Sequence, residues 1–332
     1  MRLEPTNIMT QKLQQPTVSV VMATYNGARF IREQLDSILG QIYPIKEIII
    51  QDDGSNDGTI DIIQEYISRY PIIHLYQNQN NLGFNMNFIT AFRRVTTDLV
   101  CIADQDDIWF KDKILKQVEA IGTQYAACCT DHYRDKKFKN PCTYRRNPQN
   151  TFESQIFTSH IPGHCLMVRT SFLQSIDNWE PHIPYDWWIV INAHFHGGLI
   201  KAPYPLNWYR PYAESVATRH RAKYLRHTEH PSWQPYIFGW GDYKKLQQRE
   251  LWATFYGYIH QKTEGKKEFS LVHKLTGLML KKDLSSLLQL CWLCMKYTDL
   301  VHGKEHPNRV MAKIRGFFYP MIWAYSTTNF DY

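Results

Sequence analysis

Val18-Ser19-Val20-Val21-Met22, Ile48-Ile49-Ile50, Ile72-Ile73-His74-Leu75-Tyr76 and Leu99-Val100-Cys101-Ile102-Ala103 are short apolar runs, each followed by polar residues. Runs of this length and composition read as buried strands. Between them the apolar positions switch to helical spacing: Phe30, Ile31, Leu35, Ile38 and Leu39, then Ile60, Ile63, Tyr66 and Ile67, then Met86, Ile89 and Phe92. Asn56, Asp57 or Thr59 is a candidate cap for the second helix, and Asn85 for the third. The order β-α-β-α-β-α-β predicts an α/β domain with a mostly parallel central sheet flanked by helices. Such sheets bind ligands beyond the carboxyl ends of their strands. Three polar loops lie there: Thr24-Tyr25-Asn26-Gly27, Asp52-Asp53-Gly54-Ser55 and Asp104-Gln105-Asp106-Asp107. The expectation is one crevice assembled from all three.

Further along, Arg134 to Asn150 is polar, basic and carries two prolines, so it reads as a loop. Leu246 to Tyr258 and Leu284 to Tyr297 read as amphipathic helices, which makes the C-terminal region mainly helical. The 332 residues, 44% of them hydrophobic, support an ordinary globular core. Thirty-eight basic residues against 31 acidic ones leave a net charge of +7, too mild to argue for a nucleic-acid partner, and none is expected. The basic residues concentrate after residue 130, at Lys136, Lys137, Lys139, Arg145 and Arg146, from Arg219 to Arg226, and at Lys281 and Lys282. That distribution suits an anionic partner such as a diphosphate or a membrane face.

Seven cysteines is an odd number, and Met1 to Gln15 lacks the apolar centre of a secretory signal, so reduced thiols and a cytoplasmic location are expected. Cys291 and Cys294 sit in an apolar helical stretch and read as small core residues rather than a redox pair. No apolar stretch approaches the about 20 residues of a spanning helix.

Asp104, Asp106 and Asp107 carry the most chemistry. Three carboxylates in four residues repel one another unless a cation or a hydrogen-bond network compensates. Stabilising a helix N-terminus needs only one carboxylate. A hard divalent ion, Mg²⁺ or Mn²⁺, fits an oxygen-rich site and leaves positions open for substrate phosphates. Asp52 and Asp53 fit either a turn with a helix cap or a ligand contact.

Thr24-Tyr25-Asn26-Gly27, then Asp52-Asp53-Gly54-Ser55-x-Asp57-Gly58-Thr59, then Asn80-Asn81-x-Gly83-x-x-x-Asn87-Phe88, then Asp104-Gln105-Asp106-Asp107-Ile108-Trp109 together resemble the family 2 glycosyltransferases, and within them bacterial rhamnosyltransferase-like enzymes. The resemblance covers residues 17–217. It implies a GT-A fold, with a donor site in 17–110 and an acceptor and base portion in 111–222. Outside it, 1–16 reads as a flexible N-terminus and 223–332 as a helical, aromatic and basic region. The resemblance also implies inverting transfer of a sugar from a nucleotide-diphosphate donor to a glycan or lipid-linked acceptor, in cell-surface polysaccharide or lipopolysaccharide synthesis. Residue by residue, it assigns Asp52 and Asp53 to the base and ribose, with Thr24, Tyr25 and Asn26 as the other wall of that pocket. Asp104 faces the ribose or donor sugar, and Asp106 and Asp107 face the metal and diphosphate. Asp186, in Tyr185-Asp186-Trp187-Trp188, matches the second acidic motif and becomes the candidate base; its own sequence context also suits a helix cap.

One position departs from the pattern. Relatives place a His shortly after a Tyr-Arg pair, whereas here Tyr209-Arg210-Pro211-Tyr212 puts Tyr212 there. A phenol, with a pKa of about 10, is a poor ligand for a divalent ion. Arg210 or a residue of Arg219-His220-Arg221 is then the candidate for holding the diphosphate. His164 either lines the pocket or supports a loop. Peripheral contact with the inner face of the cytoplasmic membrane is suggested by Lys313-Ile314-Arg315-Gly316-Phe317-Phe318-Tyr319. A catalytically impaired sugar-nucleotide-binding protein and a nucleotidyltransferase are the competing readings. The second usually has a Gly-rich basic loop after the first strand, which Thr24 to Phe30 does not supply. A dinucleotide oxidoreductase is disfavoured by the missing G-x-G-x-x-G.

Overall fold

β1 (Val18–Thr24) is apolar at most positions because both of its faces are covered. In the computed structural model, which describes residues 15–135, 145–146, 151–158, 161–212, 233–301, 308–327 and 330, β1 lies inside a nine-stranded sheet of order β3-β2-β1-β4-β8-β6-β9-β5, with β7 (Arg145–Arg146) on β6. β2 (Glu47–Asp52), β3 (Ile73–Gln77) and β4 (Leu99–Ala103) run parallel to β1. Between them lie α1 (Ile31–Leu39), α2 (Thr59–Arg69) and α3 (Gly83–Phe92). The register pairs Thr24 with Asp52, and Met22 with Ala103. The carboxyl ends of β1, β2 and β4 are therefore level, so their loops open at one rim.

Past β4 the sheet becomes mixed. β8 (Leu166–Arg169) is antiparallel to β4 and to β6 (Ala127–Arg134). β9 (Leu199–Tyr209) runs parallel to β6, and its end pairs antiparallel with the two-residue β5 (Ile108–Trp109), matching Ile108 to Trp208. This last pairing brings Asn207, Tyr209 and Arg210 beside the acidic loop, which precedes β5 directly. The result is the GT-A fold, with a helical C-terminal part built on it.

α4 (Lys113–Ile121), α5 (Phe152–Gln155), α6 (Thr170–Gln174) and α7 (Tyr185–Ala193) complete the first part. α8 (Gln234–Leu246), α9 (Glu250–Thr263), α10 (Ser270–Leu280), α11 (Leu284–Lys296), α12 (Thr298–Val301), α13 (Arg309–Phe317) and α14 (Tyr319–Ser326) follow. One hydrophobic cluster runs from Val21 and Ile49 in the sheet through Trp187 to Trp252, Met279 and Trp323. Trp187 stacks at 4.3 Å on Phe255, and the Tyr256 hydroxyl donates to the Ile156 carbonyl at 2.9 Å.

Several elements differ from expectation. Asn85 lies inside α3, which begins at Gly83, so it does not cap that helix. The helix expected from Leu246 to Tyr258 is interrupted between Leu246 and Glu250, where Arg249 turns to an extended backbone at φ −78° and ψ 138°; Gln247 fastens this corner by donating from Nε2 to the Met279 and Lys281 carbonyls at 3.0 and 2.8 Å. Arg145 and Arg146 form a short strand where a loop was expected. Cys291 and Cys294 are fully buried on α11, as core residues. Lys136, Lys137, Lys139 and the run from Arg219 to Arg226 lie outside the described residues. No helix among the described residues is long and apolar enough to cross a membrane.

Trp252 meets four aromatic rings, those of Tyr243, Tyr256 and Trp323 on the helices and of Phe330 beyond them, and donates its indole N–H to Met279 O at 3.0 Å. Trp252→Ala is expected to cost about 3–5 kcal/mol. Because the cluster is continuous, sheet and helices should still unfold together in one urea transition followed by circular dichroism. Two separated transitions would contradict that continuity.

Candidate active site

Asp52 sets the shape of the crevice wall. Its carboxylate is fully buried and accepts from Thr24 Oγ1 at 2.8 Å, Gly54 N at 3.0 Å, Ser55 N at 2.8 Å and Ser55 Oγ at 2.5 Å. Asp53 is almost as buried, and accepts from Asn78 Nδ2, Leu82 N and Gly83 N at 2.7, 2.7 and 2.8 Å. Both carboxylates are thus held by the protein's own donors: Asp52 ties β1 to the loop after β2, and Asp53 ties that loop to the start of α3.

The loop after β1 is fastened on two sides. Asn26, in the left-handed region at φ 49°, donates from its N–H to Ser55 Oγ at 2.8 Å and accepts from Asn56 N at 2.9 Å. Tyr25 exchanges backbone hydrogen bonds with the Gln105 side chain at 3.0 and 3.1 Å, while its ring stays 47% exposed and free to stack on a ligand. Gly27 leaves room for this contact, since a Cβ there would push the Gln105 amide out of its place. The three polar loops are therefore one bonded unit.

In the acidic loop the three carboxylates have different surroundings. Asp107 turns inward, fully buried, with Oδ2 against His164 Nδ1 and 3.1 Å from Asn207 Nδ2. Its Oδ1 has no hydrogen-bond partner among the described residues. Burial works to lower the His164 pKa, but the Asp107 carboxylate and the Cys165 sulfur together raise it well above its usual value. Lys113, also fully buried, donates to the His164 carbonyl at 2.6 Å. Asp104 and Asp106 stay partly open to the crevice. Burial, reinforced by their neighbouring carboxylates, pushes Asp104 to about 6 and Asp106 to about 7. Tyr212 hydrogen-bonds Asp106 and packs its ring 4.9 Å from Phe30, so the Tyr at the departing position does reach the acidic loop. Arg210 sits between the Phe30 and Trp208 rings at 4.4 and 4.8 Å and pairs with Glu33, while its Nε lacks a partner among the described residues. Arg219, His220 and Arg221 lie outside the described residues.

Asp186 occupies the first turn of α7 and accepts from the backbone N–H groups of Trp187, at 2.7 Å, and Gly163. Burial raises its pKa to about 6 against the pull of those hydrogen bonds, with Asp104 adding to the rise. The neighbours Trp187 and Trp188 are both buried. Gly163 and His164 thus reach two carboxylates from adjacent positions, Asp186 through the backbone and Asp107 through the imidazole. A Cβ on Gly163 would strike the Tyr185 hydroxyl.

Sequence reasoning missed Asn207 and gave Asn85 a different role. Asn207 lies on a strand whose pairing with β5 no local pattern announces. Asn85 donates from Nδ2 to the Pro181 and Ile183 carbonyls at 2.7 and 3.0 Å and accepts from Tyr185 N at 2.6 Å. It clamps the turn that delivers Asp186. A polar residue at an otherwise buried helix position was the available signal.

Asp104, Asp107 and His164 bring one ligand atom each to within 4.8 Å of one another. Their oxygen and imidazole donors, the partnerless Asp107 Oδ1 and the raised pKa values of Asp104 and Asp106 suit a divalent cation.

Residues 19–177 match the model of the family described as glycosyl transferase family 2. The dTDP-rhamnosyl transferase RfbG of Shigella flexneri is 40% identical over 112 residues, 32% of this chain and 39% of RfbG. TuaG of Bacillus subtilis, provisionally named a teichuronic acid biosynthesis glycosyltransferase, is 39% identical over 105 residues, 32% of this chain and 42% of TuaG. The chain thus spans about two-fifths of the length of each of these curated relatives. Among solved structures, S. aureus TarS 1-349 in complex with UDP-GlcNAc superposes with a TM-score of 0.55 at 16% identity, covering 93% of this chain and 91% of that one. The mannosyltransferase PcManGT from Pyrobaculum calidifontis, in complex with GDP-Man and Mn²⁺, gives 0.51 at 18% identity, covering 93% and 86%. At these identities the likeness is one of fold.

Asn85→Ala should leave two carbonyls and one N–H without partners, a loss of about 2 kcal/mol or more by urea denaturation. A loss below about 0.5 kcal/mol would show that the turn before α7 holds its place without Asn85.

Proposed function

We propose that this chain, which carries a family 2 glycosyltransferase domain, transfers a sugar with inversion from a nucleotide-diphosphate donor to a hydroxyl of a glycan or lipid-linked acceptor, in the building of a cell-surface polysaccharide or lipopolysaccharide. The observation that carries the reading is the link through Gly163 and His164, which sets a raised-pKa carboxylate, Asp186, beside the acidic loop. An inverting transfer needs that pair of functions: an anion-binding end for the leaving group and a base on the other side of the sugar.

On this reading the base and ribose lie against Tyr25, Thr24 and Asn26, on the wall that Asp52 and Asp53 hold rigid. Asp104 faces the ribose or donor sugar. Asp106 and Asp107 would hold Mg²⁺ or Mn²⁺, with Asp104 and His164, whose ligand atoms converge with that of Asp107, near enough to complete the set. The ion, when bound, offsets the negative charge growing on the leaving diphosphate. Arg210 adds positive charge at the same mouth. Asp186 takes the proton from the acceptor hydroxyl as its oxygen bonds to the anomeric carbon, and the bond from that carbon to the diphosphate oxygen breaks with its electron pair leaving on the diphosphate. A pKa of about 6 leaves Asp186 mostly ionised at neutral pH yet more basic than a solvated carboxylate. The names of the relatives suggest the donors to try first: dTDP-rhamnose, UDP-GlcNAc and GDP-Man.

Asp186→Asn keeps the shape and removes the base, so transfer should fall by about 10² to 10⁴ with donor affinity nearly unchanged. Undiminished transfer would remove Asp186 from the role. The base must be unprotonated to act, and its pKa is raised, so transfer should decline below about pH 6, by about tenfold per pH unit. A profile flat down to about pH 4.5 would contradict this assignment. Asp106→Ala should weaken divalent-dependent donor binding in a calorimetric titration by about tenfold or more; unchanged affinity would remove Asp106 from the ion.

A further inference from the structure

The helices after residue 233 leave a broad apolar surface uncovered. α11 buries Leu287, Leu290, Cys291 and Cys294, yet Leu288 and Trp292 point outward at 43% and 49% exposure. Leu284, Leu288, Trp292 and Lys296 recur every fourth residue and so form one row on that helix. α13 does the same with Val310 and Ile314, and its Gly316 fits against the α11 backbone at Cys294 and Met295, so the two helices are neighbours. α8 adds Ile237 and Phe238, while its Tyr236 ring rests 5.1 Å from Phe318 at the end of α13. Single exposed apolar side chains are ordinary, but this many on α11, the adjoining α13 and α8, which meets the end of α13, mark a contact surface. Of the aromatic residues that first suggested such a surface, Tyr319 is buried, Phe317 packs on the core and Phe318 is half-buried beside Tyr236.

Charge identifies the occupant. The stretches 281–301 and 308–317 hold six basic residues, Lys281, Lys282, Lys296, Arg309, Lys313 and Arg315, against two acidic ones, Asp283 and Asp299. Asp283 is engaged as the α11 cap, accepting from Ser286 N at 2.8 Å. Lys296 Nζ lies 5.3 Å over the Trp292 ring, the pairing of apolar body and cationic head suited to a lipid boundary. A second copy of the chain would bring like charges together, whereas an anionic lipid surface matches both the apolar centre and the basic rim. We propose that α8, α11 and α13 form a docking face for an anionic membrane surface. The face shares no residue with the donor crevice; only its use, keeping the chain where a lipid-linked acceptor resides, rests on the proposed function.

The test is co-sedimentation of the full chain with phosphatidylcholine vesicles, with and without phosphatidylglycerol, in the absence of any sugar donor. The intact chain should pellet with the phosphatidylglycerol vesicles and much less with the neutral ones. Leu288→Glu combined with Trp292→Glu, and separately Lys296→Glu combined with Lys313→Glu, should each cut binding by about tenfold or more. Matching thermal midpoints show that the variants are folded, and the charge pair serves if the apolar pair does not fold. An intact chain that stays in the supernatant, or variants that pellet as fully as it does, would overturn the proposal. So would a dimer in ultracentrifugation that the Leu288/Trp292 variant converts to a monomer without any vesicle binding, since the face would then serve self-association. Because no donor is present, a failed glycosyltransferase reading leaves this result unaffected.

Discussion

Negative charge crowded at the end of β4 is the constraint around which the crevice is arranged. Asp104, Asp106 and Asp107 cannot all remain ionised in one partly dry loop without compensation. Asp107 is compensated from beneath, by His164 and Asn207, with Lys113 behind them. Each of those residues arrives from a different element: the turn before β8, the end of β9 and the start of α4. Asp104 and Asp106 are left facing the crevice with raised pKa values. A buried pair of this kind is costly unless its hydrogen bonds are met, which accounts for the number of polar side chains gathered below the loop.

The same buried pair links the two halves of the proposed site. His164 secures the acidic loop, and Gly163 beside it donates to Asp186. Asn85 secures the turn before Asp186 from the donor side. The two carboxylate regions are thereby joined through short hydrogen-bonded connections. This coupling is well suited to a reaction in which the leaving group and the attacking hydroxyl must lie on opposite sides of one carbon.

Much of the first half was legible in the sequence because local pattern and final environment agree. Val18 to Met22 and Leu99 to Ala103 are apolar runs broken only by Ser19, and they became central strands covered on both faces. The level strand ends brought Thr24, Asp52 and Asp104 to one rim, as the β-α alternation predicts. What stayed hidden depends on partners distant in the chain. Asp52 and Asp53 read as ligand contacts from their motif, and only the folded loops show that Ser55, Asn78 and Gly83 already occupy their oxygens. Asn85 has the composition of a cap, but Pro181, Ile183 and Tyr185, about a hundred residues later, decide its role. Asp107 reads like its neighbours until β5 meets β9 and places Asn207 beside it.

The central claim is that the three loops and the Gly163–His164 turn form one binding unit. Hydrogen–deuterium exchange with and without UDP, GDP or dTDP in the presence of Mn²⁺ tests it directly. The account expects one of these nucleotides to slow exchange together in residues 24–27, 52–59, 104–107 and 163–165, with the strands beneath unchanged. Protection confined to a single loop, or located elsewhere in the chain, would contradict it.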